Sequence, residues 1–394
     1  MPALPASFNR CMSSSFVLIV LCLVVLDVIV TLVNPLVLLS GTGFTEMNSN
    51  YIVSKVPAYI ASERRSEIVM TGSSLFLQPA VHCDDMLAKK QTRYDRMYIC
   101  DVIDTYSHCH YLEKKVSEHL KKPVSIANLA TAGGLMSDQF TILRKCIASG
   151  KRPELLIADI SPREFHDNNY PDLEKTPVYL GLRDYSSFYE IASKPASLKA
   201  LSEAALGCVW GIFRQKQDYR ELFTNFCAHI TGHPSDLFQA TADKQLLKAA
   251  QVNDLKEVSE EIRTMPRADR LRNLPSYRVM LLPTNFSLFE QQADYLRRYL
   301  ELAKQNNIPV MLVKMPLMAE NLEIVSPALL KKFNSTIVSL AQEYGATLVD
   351  PRTLTSFEPS DFEDSAHLDT KGGIKLFDAL AQQAAQLMRS HKSK

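Results

Sequence analysis

The sequence has no strong excess of charge of either sign. Its 394 residues carry 44 Lys and Arg against 43 Asp and Glu, for a formal net charge of +1 at pH 7. Domains that bind nucleic acid concentrate positive charge to meet phosphates, so this balance argues against a nucleic-acid partner. The chain is 46% hydrophobic and has no repeat or low-complexity tract, so it also lacks the composition of a disordered protein. These absences indicate a globular protein with an ample core.

Metal and cofactor motifs are lacking as well. The cluster His108-Cys109-His110 contains residue types that bind zinc, but no second ligand pair follows at finger-like spacing. A surface turn is the better interpretation of this cluster. We therefore expect neither a metal nor a cofactor.

Cysteines are too few for a disulfide scaffold, yet six of the eight follow residue 80. An oxidising compartment would permit this even number to pair, and the sequence does not give the connectivity. The six are Cys83, Cys100, Cys109, Cys146, Cys208 and Cys227.

One apolar run departs from the average composition. From Phe16 to Val33 only Asp27 and Thr31 are polar, and Leu36 to Leu39 extend the run past Asn34-Pro35. This length is sufficient to span a bilayer. Asp27 is costly in lipid, and either a partner helix or the membrane interface would accommodate it.

The charges around this run predict its orientation. Arg10 precedes it, and residues 41–54 contain no Lys or Arg, so the positive-inside rule places the N-terminus in the cytoplasm. We predict a cytoplasmic tail over 1–14, a single-pass cell-membrane anchor over 15–40 and an extracytoplasmic domain over 41–394. The alternative is a signal peptide cleaved near Gly41-Thr42-Gly43.

Short apolar segments alternate with helical patterns along the rest of the chain. This alternation predicts an α/β fold in which a parallel five-stranded sheet lies between two layers of helices. Residues from about 167 to 283 interrupt the pattern, and we interpret them as a helical insertion that caps the carboxyl edge of the sheet. The five predicted strands lie near 68–70, 124–129, 153–160, 308–316 and 346–350.

The first predicted strand runs into Gly72-Ser73-Ser74. Ligands bind at the carboxyl edge of such sheets, and N–H groups at a helix start are available there to hold an oxyanion. The turn predicts a candidate nucleophile, followed by a helix that lasts until Pro79. A serine nucleophile needs a base, which this stretch does not contain.

That base is predicted almost three hundred residues later, in Asp364-Ser365-Ala366-His367. Residues three apart lie on one side of a turn, so the Asp364 carboxylate can orient the His367 imidazole and stabilise its charged form. The alternative is an acidic surface loop with one capping histidine.

The two blocks together resemble the SGNH (GDSL-type) hydrolase superfamily. Its members place a Gly-Asp/Ser-Ser block after the first strand and an Asp-x-x-His block before the last helix. The resemblance implies a flavodoxin-like fold with Ser74 as nucleophile, His367 as base and Asp364 as the residue that orients it. Ser73 is the second candidate for the nucleophile, and Asp361 is the second candidate for the orienting acid.

The resemblance also implies an oxyanion hole. The stretch Asn128 to Gly134 is similar to the family's second block and matches its glycine at Gly133, which implies that the N–H groups of Ser74 and Gly133 hold the oxyanion. In the third block the family has an asparagine donor, where this chain has Arg163. Either Arg163 or nearby Asn168 supplies that donor, or Arg163 pairs with an acid at the sheet edge.

The predicted anchor narrows the resemblance. Anchored SGNH proteins, such as the D-alanyl-lipoteichoic acid transfer protein and the alginate and peptidoglycan O-acetylation proteins, work beside a membrane-bound O-acyltransferase. The resemblance implies a serine acyltransferase or esterase that acts on O-acyl groups of cell-envelope polysaccharide, with such an acyltransferase as partner. A catalytically impaired scaffold that binds envelope polymer or this partner is the alternative, and a secreted esterase would require cleavage of the anchor.

Overall fold

The computed structural model describes residues 6–33, 54–89, 106–171, 176–192, 198–214 and 270–392, with single helical positions at 216, 219, 220, 223 and 227. Residues 34–53, Cys100 and most of residues 215–269 lie outside the described residues.

The described strands are β1 (Ile68–Thr71), β2 (Ile126–Asn128), β3 (Leu155–Ile160), β4 (Val310–Lys314) and β5 (Thr347–Val349). The helices up to the third strand are α1 (Ala6–Val33), α2 (Lys55–Ala61), α3 (Ser74–Leu87), α4 (His110–Leu120) and α5 (Met136–Ala148). Those that follow it are α6 (Pro162–Phe165), α7 (Pro177–Leu182), α8 (Tyr185–Ala192), α9 (Leu198–Val209), α10 (Gly211–Arg214), α11 (Leu274–Leu281), α12 (Phe286–Gln305), α13 (Ala319–Leu322), α14 (Pro327–Tyr344) and α15 (Thr370–Lys392). Two 3-10 turns occupy Pro351–Thr353 and Pro359–Asp361.

The five strands form one parallel sheet in the order β2-β1-β3-β4-β5. All six residues of β3 and all four of β1 are buried, as expected for strands that are covered on both faces. The prediction of an α/β fold with a parallel five-stranded sheet is confirmed. The strand order is that of flavodoxin-like doubly wound folds.

Two groups of helices pack on this sheet. In one group α3, α4 and α15 contact one another, and α15 also contacts β3. In the other, α12 contacts both α5 and α14, and α5 contacts β1. The chain therefore has the layered arrangement that lets parallel strands bury both faces.

The strand order places the end of β1 at the topological switch point of the sheet, where successive strands are added first on one side of β1 and then on the other. Strand β2 pairs with one side of β1, and β3 pairs with the other. Connections therefore leave toward opposite faces at this point, which opens a crevice at the carboxyl ends of the strands. The residue that follows β1 by three positions is Ser74.

The helix after this turn is longer than the sequence analysis predicts. We expected it to end at Pro79, but α3 continues to Leu87 with Pro79 inside it. Proline removes one intrahelical N–H donor near the helix start. The burial of Leu75, Phe76 and other residues along α3 outweighs that loss.

The chain divides into two compact units, Met1–Asn48 with Arg183–Asp243 and Ser49–Leu182 with Lys244–Lys394. In the first unit, the backbone N–H groups of Gly211 and Ile212 donate to the Asp27 carboxylate at 3.2 and 2.7 Å. The acidic residue of the apolar helix α1 thus satisfies donors at the start of α10. The sheet and its helices belong to the second unit, and the placement of residues 167–283 as a cap stays a prediction.

None of the described helices combines the length and hydropathy that are needed to cross a bilayer.

Candidate active site

The turn after β1 is shaped by a buried carboxylate. Gly72 has a φ of +152°, a backbone conformation that residues other than glycine rarely adopt. A Cβ at this position would also lie 2.3 Å from atoms of the Asp159 carboxyl group. Asp159 belongs to β3, the neighbour of β1, and is fully buried. The glycine is therefore required because Asp159 occupies the space beside the turn.

Ser73 is held by hydrogen bonds to Asp159 and to the start of α3. Its backbone N–H donates to Oδ2 of Asp159 at 2.9 Å, and its Oγ lies 3.2 Å from the same oxygen. The Oγ also accepts from the backbone N–H of Leu75 at 3.3 Å, so Ser73 caps α3. These contacts make Ser73 a structural residue and leave it fully buried, which corrects its place as second candidate for the nucleophile.

Ser74, the first residue of α3, meets the predicted base. Its Oγ lies 2.8 Å from Nε2 of His367, within the range for proton transfer between nucleophile and base. On the other side of the ring, Nδ1 of His367 lies 2.9 Å from both carboxylate oxygens of Asp364. The structure thus brings the three predicted residues into one chain of hydrogen bonds.

The loop that carries the base folds around Asp364. Besides the imidazole, Asp364 Oδ1 accepts from the backbone N–H groups of Ala366 at 2.9 Å and His367 at 2.8 Å. Asp361 turns away and pairs with Lys371 at 3.1 Å and Lys375 at 2.6 Å. Asp361 is therefore a structural anchor for the start of α15, which corrects its place as second candidate to orient the base.

Electrostatics keep Asp364 ionised. Burial is the largest influence on its pKa and acts to raise it. The positive charge that His367 can carry, together with hydrogen bonds from His367 and Ala366, outweighs burial and places the pKa of Asp364 below its ordinary value. An ionised carboxylate at this position fixes the tautomer with the proton on Nδ1 and leaves Nε2 free to accept the proton of Ser74.

Two backbone N–H groups lie in the turns that follow β1 and β2. Ser74 opens α3, where the first N–H groups lack intrahelical partners, and Gly133 lies in the turn after β2 with a φ of +71°. Within the described residues neither of these N–H groups donates a hydrogen bond. Neither N–H group is therefore engaged by the described residues, and both lie at the carboxyl edge of the sheet, where Ser74 also lies.

Arg163 binds the carbonyl groups of the turn at Gly133 and Gly134, which we call the glycine turn. Its guanidinium donates to the carbonyl oxygens of Gly133 at 2.7 Å and Gly134 at 3.2 Å, and it pairs with Asp167 at 3.0 Å. The side chain is buried, and these partners take up its planar fork of donors. Of the sequence-based alternatives, the structure shows the pairing with an acid, and Asn168 Nδ2 donates to Pro283 instead, at 3.0 Å. The third oxyanion donor is left without an assigned residue.

Asp159 and Glu164 form a buried acidic pair beneath the turn. Burial is the main cause that raises the pKa of each carboxyl group, and the neighbouring charge of Glu164 raises the pKa of Asp159 further. Asp159 was not predicted from the sequence as a supporting residue. Its signal was an acidic residue inside an otherwise apolar strand, which requires a polar partner when the strand is buried.

The cluster His108-Cys109-His110 has other partners than a metal. The rings of His108 and His110 stack at 4.7 Å, and Nδ1 of His108 lies 3.1 Å from Arg64 Nη1. Cys109 is a buried free thiol, as are Cys83 and Cys146. Within the described part of the chain, no three His, Cys, Asp or Glu side chains converge as a metal site would require.

Comparison with known proteins identifies a family. A family model described as "Protein of unknown function (DUF1574)" matches residues 102–376. Among solved structures, the crystal structure of LAE5, an alpha/beta hydrolase enzyme from the metagenome of Lake Arreo, Spain, is similar at 10% identity, covering 81% of this chain and 94% of that chain with a TM-score of 0.33. No curated protein matches the chain.

Proposed function

This chain belongs to the DUF1574 family, and we propose that it is a serine-dependent acyl-transfer enzyme of the SGNH type. The observation that carries the proposal is the continuous hydrogen-bond chain from Ser74 through His367 to Asp364. Serine is a weak nucleophile until a base removes its proton, and this arrangement supplies the base and its orienting acid.

In the proposed reaction, Ser74 Oγ attacks the carbonyl carbon of an ester while Nε2 of His367 takes the Oγ proton. The N–H groups of Ser74 and Gly133 bind the negative oxygen of the tetrahedral intermediate. The intermediate then breaks its bond to the alcohol, which leaves with the proton from His367, and an acyl group remains on Ser74. Attack by water gives hydrolysis, and attack by the hydroxyl of an acceptor gives transfer.

For the substrate we propose O-acyl groups of cell-envelope polysaccharide or another acylated glycan. The support is the resemblance of the Gly72-Ser73-Ser74 block and the Asp364 to His367 block to anchored SGNH proteins. A membrane-bound O-acyltransferase is the partner that such a role implies.

We also propose that the N-terminal run attaches the protein to the cell membrane, with the sheet-containing unit outside. Apolar side chains along α1 face outward, with Leu32 80% and Val17 62% exposed. In the sequence, Leu36 to Leu39 extend the apolar run past Asn34-Pro35. Membranes from expressing cells should retain the full-length chain through alkaline carbonate extraction. Release into the supernatant would contradict the anchor, and loss of the N-terminal residues from the intact mass would indicate a cleaved signal peptide.

The acyl-enzyme tests the proposed chemistry. The full-length protein in detergent is mixed with an aryl acetate, and the first seconds of reaction are followed by release of the phenol and by intact mass. We expect a burst of phenol and a mass increase of one acetyl group that Ser74→Ala abolishes. Addition of acetylated and unacetylated glycan oligomers then separates hydrolysis from transfer. A well-folded wild type that forms no acyl-enzyme would favour the scaffold, which binds polymer without chemistry.

A further inference from the structure

The two halves of the proposed triad stand on different elements. Ser74 opens α3, whereas Asp364 and His367 lie in the loop before α15. The 2.8 Å contact between Ser74 and His367 therefore depends on the position of the loop relative to α3. A displacement of about 1 Å can reduce a reaction rate by about 100-fold. The groups that hold the loop in position relative to α3 therefore affect the rate of catalysis.

Glu363 connects the loop to the helix of the nucleophile. It immediately precedes Asp364 in the chain, and its Oε2 lies 3.0 Å from Nε2 of His82. His82 belongs to α3, eight residues after Ser74. Both side chains are largely buried, at 11% and 10% exposure, where an ion pair is screened far less than at the surface.

A second segment, just before α11, also contacts Glu363. Arg272 donates to the Glu363 carbonyl oxygen at 2.8 Å, and its Nη2 lies 3.3 Å from Oε1 of the Glu363 carboxylate. The next residue, Asn273, accepts from the backbone N–H and the hydroxyl of Ser365 at 3.2 and 2.7 Å. Residues just before α11 thus grip the loop on both sides of Asp364.

We infer that Glu363 is a positioning residue for the proposed acyl transfer, through a bridge in which His82 and Arg272 bind the two oxygens of its carboxylate. The inference rests on the proposed function, because it concerns the register of the same nucleophile and base. Neither His82 nor Glu363 touches the reacting atoms, so the bridge acts through the position of His367 relative to Ser74.

The charge on His82 strengthens the bridge below neutral pH. Burial is the largest influence on the pKa of His82 and lowers it, but the hydrogen bond and charge of Glu363 and the charges of Asp369 and Asp85 outweigh burial and raise the pKa above its ordinary 6.5. Asp85 lies on the same helix, and Asp369 lies with Glu363 on the opposing loop. The bridge is therefore a charge-assisted contact below pH 6.5 and weakens as pH rises through the raised pKa.

The chain offers a matched control at the opposite edge of the sheet. Glu113 also joins an arginine and a histidine, with Arg64 at 3.5 Å and His110 at 2.6 Å. It accepts from the backbone N–H of Ile126, the first residue of β2, at 2.7 Å. Glu113→Gln thus disturbs a bridge of the same composition at the amino edge, away from Ser74.

The test measures how fast a fluorophosphonate probe modifies Ser74 in the full-length protein, by intact mass across pH. We expect Glu363→Gln to lower the second-order rate constant by about 10-fold to 100-fold and Glu113→Gln to leave it at the wild-type value. His82→Gln, which keeps a neutral donor, should match the wild type at high pH and fall below it at low pH. The double variant of His82→Gln and Glu363→Gln should react no slower than Glu363→Gln alone, because each substitution disrupts the same contact between residues 82 and 363.

Equal rates for Glu363→Gln and wild type, or equal slowing by Glu113→Gln, would overturn the bridge while leaving the proposed function intact. A folded wild type that never reacts would instead overturn the proposed function, and the bridge with it.

Discussion

Ser74 Oγ and His367 Nε2 lie 2.8 Å apart although 293 positions of sequence separate them. The parallel sheet accounts for this proximity, since Ser74 follows β1 and His367 follows β5, and the carboxyl ends of parallel strands lie at one edge. The relationship turns two common local motifs into one chemical unit.

Asp364→Asn should disable that unit while leaving the nucleophile in place. The amide presents the wrong hydrogen-bonding partner to Nδ1 of His367, which favours the wrong tautomer. We expect kcat for aryl acetate to fall by about 10⁴-fold with little change in KM. Steady-state kinetics measure this, and a loss below about 10-fold would show that Asp364 does not orient the base.

The same carboxylate should leave a signature in acid unfolding. Because the folded pKa of Asp364 lies below its ordinary 3.8, its contribution to the free energy of unfolding is present above that pH and is lost as pH falls through the folded pKa. The difference in unfolding free energy between wild type and Asp364→Asn should therefore hold steady down to 3.8 and shrink below it. Urea titrations at successive pH values measure it. A difference that already shrinks well above 3.8 would indicate a raised pKa instead.

Gly72→Ala should distort the turn that presents the nucleophile. The new methyl group meets the Asp159 carboxylate at 2.3 Å and forces alanine into a strained backbone conformation. We expect a loss of about 2 to 4 kcal/mol in unfolding free energy and slower modification of Ser74. Gly150→Ala is the control, because Gly150 has a φ of +79° but open space around it, and it should cost only about 1 to 2 kcal/mol with no change at Ser74. Equal behaviour of the two variants would argue against crowding by Asp159.

Arg163→Lys should weaken oxyanion binding indirectly. Lysine keeps the charge beside Asp167 but cannot hold the carbonyl oxygens of Gly133 and Gly134 with one planar group. We expect kcat to fall by about 10-fold to 100-fold while KM changes little, since the Gly133 N–H then binds the oxyanion less well. An unchanged kcat would mean that the glycine turn keeps its position without Arg163.

Much of this fold could be predicted because its signals are local. Apolar segments such as β3 alternate with helices, and that periodicity needs no knowledge of distant contacts. The pairing of Ser74 with His367 required the additional assumption that both blocks lie at one sheet edge, which the resemblance supplied. The bounds of single elements were predicted less accurately. For example, α3 was expected to end at Pro79 but continues to Leu87.

The supporting residues could not be predicted for a physical reason. Asp159, Glu363 and Arg272 act through contacts with residues far away in sequence. Glu363 adjoins the Asp364 block, but nothing local shows that its carboxylate meets His82 of α3. Arg163 was identified by its position, but whether its donors faced the oxyanion or the glycine turn depended on the path of the chain between β2 and α5.

Covalent modification of Ser74 shows whether this serine is the nucleophile that His367 activates. The full-length protein is treated with a fluorophosphonate probe, and intact mass is compared among wild type, Ser74→Ala, Ser73→Ala and His367→Ala, with folding checked by thermal unfolding. We expect a single adduct on wild type that persists in Ser73→Ala and is lost in Ser74→Ala and His367→Ala. An adduct that persists in Ser74→Ala, or a folded wild type that forms none, would contradict it.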